Sequence, residues 1–168
     1  MDLPTVPRYR NILFICHANT SRSVIAEALL KKMLMDRALH DHLRVVSGGI
    51  AAYARDGALV SMDARLVLRD AGIHVPADRG ATDLKRNRHL IADADLILTM
   101  TARQVEMLRE AFPEAAGKDV YTLKAFAGCP GDIEDPVGKG EEVYAACRDE
   151  IRSCLEQAWA RLVAPADS

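Results

Sequence analysis

Cys16-His17-Ala18-Asn19-Thr20-Ser21-Arg22-Ser23 follows the apolar run Ile12-Leu13-Phe14-Ile15 and precedes a helix-like segment over residues 24–35. The cysteine supplies a nucleophile and the arginine, six positions on, a planar fork that grips two oxygens of a phosphate. The first backbone N–H groups of a helix have no intrahelical partner and lie at a positive dipole end, which makes such a loop an anion site. These donors and the guanidinium favour the thiolate, the reactive form of the sulfur. A nucleophile and an anion cradle on one loop point to phosphoryl transfer through a cysteine. The competing reading is a buried cysteine closing a core strand. The strand before the loop, the helix after it and the small polar residues between argue against that reading.

A second segment supplies what the first lacks. Gly131-Asp132-Ile133-Glu134-Asp135-Pro136-Val137-Gly138 reads as an exposed loop. Breaking a phosphoester through a thiolate requires an acid to protonate the departing atom. Asp135 is the leading candidate because Pro136 restricts the residue before it; Asp132 and Glu134 are the competitors.

Alternating β and α patterns position these loops. Strands are expected over residues 10–15, 43–47, 96–100 and 119–123, the second closed by Gly48-Gly49. Helices are expected over 57–71, with Gly72 as the stop, and over 101–112. A last helix begins near Glu141 and carries Tyr144, Cys147, Ile151, Cys154, Ala158 and Leu162 on one face. The pattern predicts an α/β fold: a parallel sheet with helices on both faces and ligands beyond the strands' C-terminal ends, where Cys16 falls. Residues 1–9 and 164–168 are expected to be loose ends around one domain over 10–163. The polar segment 75–88 reads as a solvated face.

The chain has 168 residues and a net charge of −2, which suits one domain and excludes a global field for nucleic acid or anionic membranes. No run reaches membrane-spanning length and no signal segment is visible, so a cytoplasmic protein is expected. The four cysteines, Cys16, Cys129, Cys147 and Cys154, have neither disulfide-framework nor zinc spacing.

With both loops in view, the chain resembles the low-molecular-weight protein tyrosine phosphatase family. Cys16, Asn19, Arg22 and Ser23 match the family loop C-x-G-N-x-C-R-S, and Asp135-Pro136 matches its acid loop. Ser47-Gly48-Gly49, the 95–100 strand and Tyr121-Thr122-Leu123-Lys124 extend the resemblance over nearly the whole chain. It implies a four-stranded parallel sheet, a phosphorylated protein as substrate, and no cofactor or metal. It further implies that Cys16 forms a phosphocysteine, and that Arg22 and the backbone of His17, Ala18, Asn19, Thr20, Ser21 and Arg22 hold the phosphoryl oxygens. Ser23 would assist the thiolate, Asn19 would brace the loop in a left-handed conformation, Asp135 would act as acid and then base, and Tyr53 would wall the cleft.

The departures are informative. Ala18 stands in place of the loop glycine and would strain the loop if that position needs a positive φ. Ser21 replaces a cysteine that in relatives can pair with the nucleophile. Val137 stands where tyrosine-directed members carry an aromatic residue, and Thr20 resembles the bacterial protein-arginine phosphatase subgroup, whereas that subgroup favours phenylalanine in place of Val137. Phosphotyrosine and phosphoarginine are both kept as expected substrates. An arsenate reductase on the same fold would need relay cysteines, and residues 71–95 hold none. A phosphate-binding module without turnover is the third reading, disfavoured because nucleophile, arginine and acid are all present.

Overall fold

In the computed structural model, which describes residues 6–166, the central strand β1 (Asn11–Cys16) is buried on both faces and ends at the cysteine. Its continuous apolar run is the mark of a strand covered on both sides. The other strands are β2 (Arg44–Gly49), β3 (Leu96–Thr99) and β4 (Asp119–Thr122), all parallel in the order β2-β1-β3-β4. Alternation along β1 divides the core. Ile12 and Phe14 pack with the apolar faces of α1 (Arg22–Asp36), α2 (Met62–Asp70) and α6 (Glu141–Leu162), and Leu13 and Ile15 pack with Ile91 of α3 (His89–Asp93) and Leu108 of α4 (Ala102–Ala111). A short α5 (Leu123–Phe126) follows β4 directly.

Four expectations are corrected. Strand β2 does not stop at Ser47: Gly48 and Gly49 pair with Ile15 and Cys16. A Cβ on Gly49 would lie 2.7 Å from the Ala18 carbonyl carbon and 2.8 Å from the His17 oxygen, so the loop's approach to the strand requires this glycine. The helix expected over 57–71 begins only at Met62, because Leu59 bridges to Gly80 and Ser61 takes the N-cap, accepting from the Ala64 N–H. The stretch 75–88 is not wholly a solvated face, since Arg79 reaches a buried carboxylate described below. The described parts of the two ends are not loose. Pro7 bridges to Pro165, Arg8 N–H donates to the Ala164 oxygen at 2.9 Å, and Ala166 N–H donates to the Val6 oxygen at 2.8 Å. The remainder of that expectation, residues 1–5 and 167–168, lies outside the described residues. Among the described residues no helix is long and apolar enough to cross a membrane.

Candidate active site

The β1–α1 loop wraps around the Cys16 sulfur. Ser23 Oγ lies 2.9 Å from Sγ, and the Asn19 backbone N–H donates to Sγ at 3.3 Å. Asn19 takes the left-handed conformation, φ +61°, which asparagine tolerates. Ala18 is not among the positive-φ residues, so the alanine strains nothing and the residue carrying the turn is Asn19. The Asn19 amide then fixes three elements at once: Nδ2 donates to Ser23 Oγ at 2.8 Å and to Ser47 Oγ at 2.9 Å, and Oδ1 accepts from the Thr82 N–H at 2.8 Å.

Behind Asn19 the network continues into a buried charge cluster invisible in the sequence reading. Ser47 Oγ donates to Glu27 Oε1 at 2.7 Å, while Arg79 Nη1 and Lys31 Nζ each donate to Glu27 Oε2 at 2.9 Å. Burial pushes the Glu27 carboxyl up, but the Arg79 and Lys31 charges and the Ser47 hydroxyl outweigh it and hold it below the usual carboxylate range. One sequence signal existed: Glu27 interrupts the apolar face formed by Ala26, Leu29 and Leu30, and a buried carboxylate demands partners.

Arg22 is buried at 3% exposure and aimed by the acid loop itself, donating to the Ile133 carbonyl at 2.7 Å. Ile133 is tied in turn by its N–H to the Met100 oxygen at 2.8 Å, at the end of β3. Asp135 Oδ2 stands 3.8 Å from Arg22 Nη2, and Asp135 Oδ1 accepts from the Val137 N–H at 3.1 Å. The three carboxyl candidates separate cleanly. Asp135 lines the same cleft as Cys16, Asp132 accepts from the Ala102 N–H at the start of α4, and Glu134 faces a different cavity with Lys124 and Glu150.

The cleft, about 170 Å³, is lined by Cys16, His17, Ala18, Thr20, Ser21, Arg22, Tyr53, Asp135 and Val137. Tyr53 and Val137 are exposed at its rim. The Tyr53 turn is held from below by Lys85, whose Nζ donates to the Ala51 oxygen at 2.8 Å and the Ala54 oxygen at 3.3 Å. His17 has its imidazole pKa lowered by partial burial and by Arg22, against an opposing pull from Asp135. Cys129 does not line the cleft; its thiol donates to Gln157 on α6. Cys147 and Cys154 are core residues as expected, and burial pushes the Cys147 thiol up to about 12. No group of three or more His, Cys, Asp or Glu side chains among the described residues is placed to hold a metal ion.

The model of the low molecular weight phosphotyrosine protein phosphatase family matches residues 11–166. The chain belongs to this family. It is 38% identical to a protein-arginine-phosphatase of Geobacillus stearothermophilus, covering 87% of this chain and 91% of the relative, and 32% identical to the low molecular weight protein-tyrosine-phosphatase Wzb of Escherichia coli K12, covering 91% and 95%. The solved YwlE arginine phosphatase from Geobacillus stearothermophilus superposes with a TM-score of 0.77 over 91% of this chain and 92% of that one. A cysteine-to-serine variant of a YwlE arginine phosphatase, solved with its active-site serine phosphorylated, superposes at 0.80 with 30% identity over 90% and 95%. As a low molecular weight phosphatase, this chain departs from the family loop at two positions. Ala18 is accommodated as described, and Ser21 hydrogen-bonds to Tyr144 OH at 3.0 Å.

Proposed function

We propose that this protein dephosphorylates proteins through a phosphocysteine on Cys16, with phosphoarginine as the preferred residue. The observation that carries the chemistry is one cleft holding Cys16, Arg22 and Asp135, with Ser23 Oγ 2.9 Å from the sulfur. Sγ attacks phosphorus as the bond to the leaving oxygen or nitrogen breaks, and Asp135 gives its proton to that leaving atom. Arg22 and the loop N–H groups take the charge that develops on the phosphoryl oxygens. In the second step Asp135 accepts a proton from water, water oxygen attacks phosphorus, and the P–S bond breaks. Ser23 then donates to the departing thiolate.

Phosphoarginine is favoured by the rim. Thr20, the loop residue that resembles the arginine-directed subgroup, lines the cleft. The half-exposed Asp135 carboxylate suits a cationic guanidinium leaving group. The 38% identity to a protein-arginine-phosphatase supports the same choice. Phosphotyrosine remains the second reading because Tyr53 supplies one aromatic wall. Arsenate reduction is disfavoured, since Cys16 is the one cysteine lining the cleft among the described residues. Four free thiols suit a reducing compartment such as the cytoplasm.

The deciding experiment compares kcat/KM for matched phosphoarginine and phosphotyrosine peptides with the purified protein and its Cys16→Ser variant. A higher value for phosphoarginine, abolished by the substitution, is expected. Equal or reversed preference overturns the substrate assignment, and turnover by Cys16→Ser overturns the mechanism.

A further inference from the structure

Ser21 occupies the N-cap of α1, yet its hydroxyl does not cap the helix. Its partner is the Tyr144 hydroxyl from α6, 3.0 Å away and 123 positions along the chain. Tyr144 is 2% exposed, and its hydroxyl also accepts from Ser61 Oγ at 3.1 Å. Ser61 is itself the N-cap of α2, and its N–H donates to the Thr20 oxygen of the phosphate loop at 2.9 Å. The three hydroxyls form a chain from the N-cap of α2 to Ser21, a residue that lines the catalytic cleft.

Two proton arrangements fit this chain, each leaving one hydroxyl proton without an acceptor among the described residues. The one that leaves it on Ser21 puts it at a cleft-lining residue rather than on the buried phenol. A buried phenol proton must find an acceptor. Ser61 donates to the Tyr144 oxygen, so the phenol proton goes to the remaining neighbour, Ser21 Oγ. Ser21 Oγ then accepts from Tyr144, and its own proton has no acceptor among the described residues. A serine diverted from capping also leaves the N–H groups of the first helical turn unspent. Both consequences enlarge the supply of donors facing the cleft.

We infer that Ser21 is a substrate-binding residue whose side-chain hydroxyl donates to the bound phosphoryl group, and that Tyr144, relayed from Ser61, is the positioning residue that aims it. The inference rests on the phosphatase reading of the cleft and adds a side-chain donor to the loop's backbone cage. In a loop carrying cysteine in place of Ser21 this donor is weak, because a thiol is a poor hydrogen-bond donor. The hydroxyl therefore has a use of its own here.

The test is the affinity for inorganic phosphate, measured by titration calorimetry on the folded protein, with melting temperatures recorded in parallel. Ser21→Ala should weaken phosphate roughly tenfold, the scale of one hydrogen bond to a charged group, and Tyr144→Phe by about threefold. The Ser21→Ala/Tyr144→Phe double variant should bind no more weakly than Ser21→Ala, because Tyr144 acts through Ser21. Ser21→Thr, which keeps the hydroxyl, should retain wild-type affinity, and Ser21→Cys, which keeps the volume, should lose it; this pair decides the matter if the alanine variant unfolds. A purely structural Tyr144 would lower the melting temperature and weaken phosphate equally in both backgrounds, which would overturn the relay. Wild-type affinity in Ser21→Ala or Ser21→Cys would overturn the binding role. Phosphate binding by a wild type that turns over no phosphoester would overturn the phosphatase reading and leave this inference standing; no phosphate binding at all would overturn both.

Discussion

The nucleophile loop and the acid loop face each other across one cleft and are built in opposite ways. Asn19 and Ser23 are fully buried, Asn19 alone joins three elements, and a charge cluster at Glu27 backs the whole arrangement. The acid loop is anchored at Ile133 and Asp132, but beyond those points its side chains other than the buried Pro136 stand in solvent, with the Asp135 side chain 48% exposed. The contrast follows from what each must do. Charge develops on the same oxygens in both chemical steps, so the cradle gains from being fixed beforehand. The acid must meet a leaving group in the first step and a water in the second, which an open, lightly tethered carboxylate accommodates.

The largest effect should come from the buried side. Cys16→Ser should abolish turnover while phosphate affinity survives, since the cradle is otherwise unchanged; residual turnover above background would remove the cysteine from the mechanism. On the open side, Asp135→Ala should lower kcat by roughly 10²–10⁴-fold, and by less for an aryl phosphate with a good leaving group. Asp132→Ala should cost less, because it loosens the tether to α4 rather than removing the proton, and Glu134→Ala should be near wild type. If either exceeds Asp135→Ala, the acid is misassigned.

Glu27→Gln sharpens the comparison by attacking the backing of the cradle without touching the cleft. Loss of the charge pairing should destabilise the fold by about 1–3 kcal/mol near neutral pH. The sign with pH follows from the direction of the shift. A carboxyl held below its ordinary range stabilises the folded state above that range, and the contribution fades as acid titrates it. Wild-type melting temperature should therefore fall toward that of Glu27→Gln as the pH drops through and below the carboxylate range. Curves that stay parallel would remove Glu27's ionisation from the account. The smallest effect belongs to the rim, where Thr20→Ile should reduce phosphoarginine turnover a few-fold more than phosphotyrosine turnover, the scale of one modest contact. Equal losses would show that Thr20 does not discriminate.

How far the sequence carried depended on how local the causes were. The β1 run and the loop after it were legible because an apolar strand, a turn-tolerant asparagine and a helix start are neighbours in the chain. The 57–71 helix was drawn too long because its early residues are claimed by Gly80, more than twenty positions away. Arg79 looked like one more solvated charge in residues 75–88, since its carboxylate partner lies on α1. Tyr144 was correctly placed on the apolar face of α6, but its hydroxyl's destination depends on how α6 packs against α1 and α2. Side chains whose purpose is a partner far along the chain carry at most a weak local signature, such as Glu27 on an apolar helix face.

The bridge between Pro7 and Pro165 brings the two ends of the described chain together at the start of β1, the end of the sheet opposite Cys16. Six strand residues at about 3.3 Å each separate that junction from the nucleophile. A short peptide joining the two ends would close the molecule into a ring without crossing the cleft. The ring could be opened again at the exposed turn of Gly117 between α4 and β4, where nothing crowds the backbone. A support or fusion attached at this junction would leave the phosphate loop facing outward.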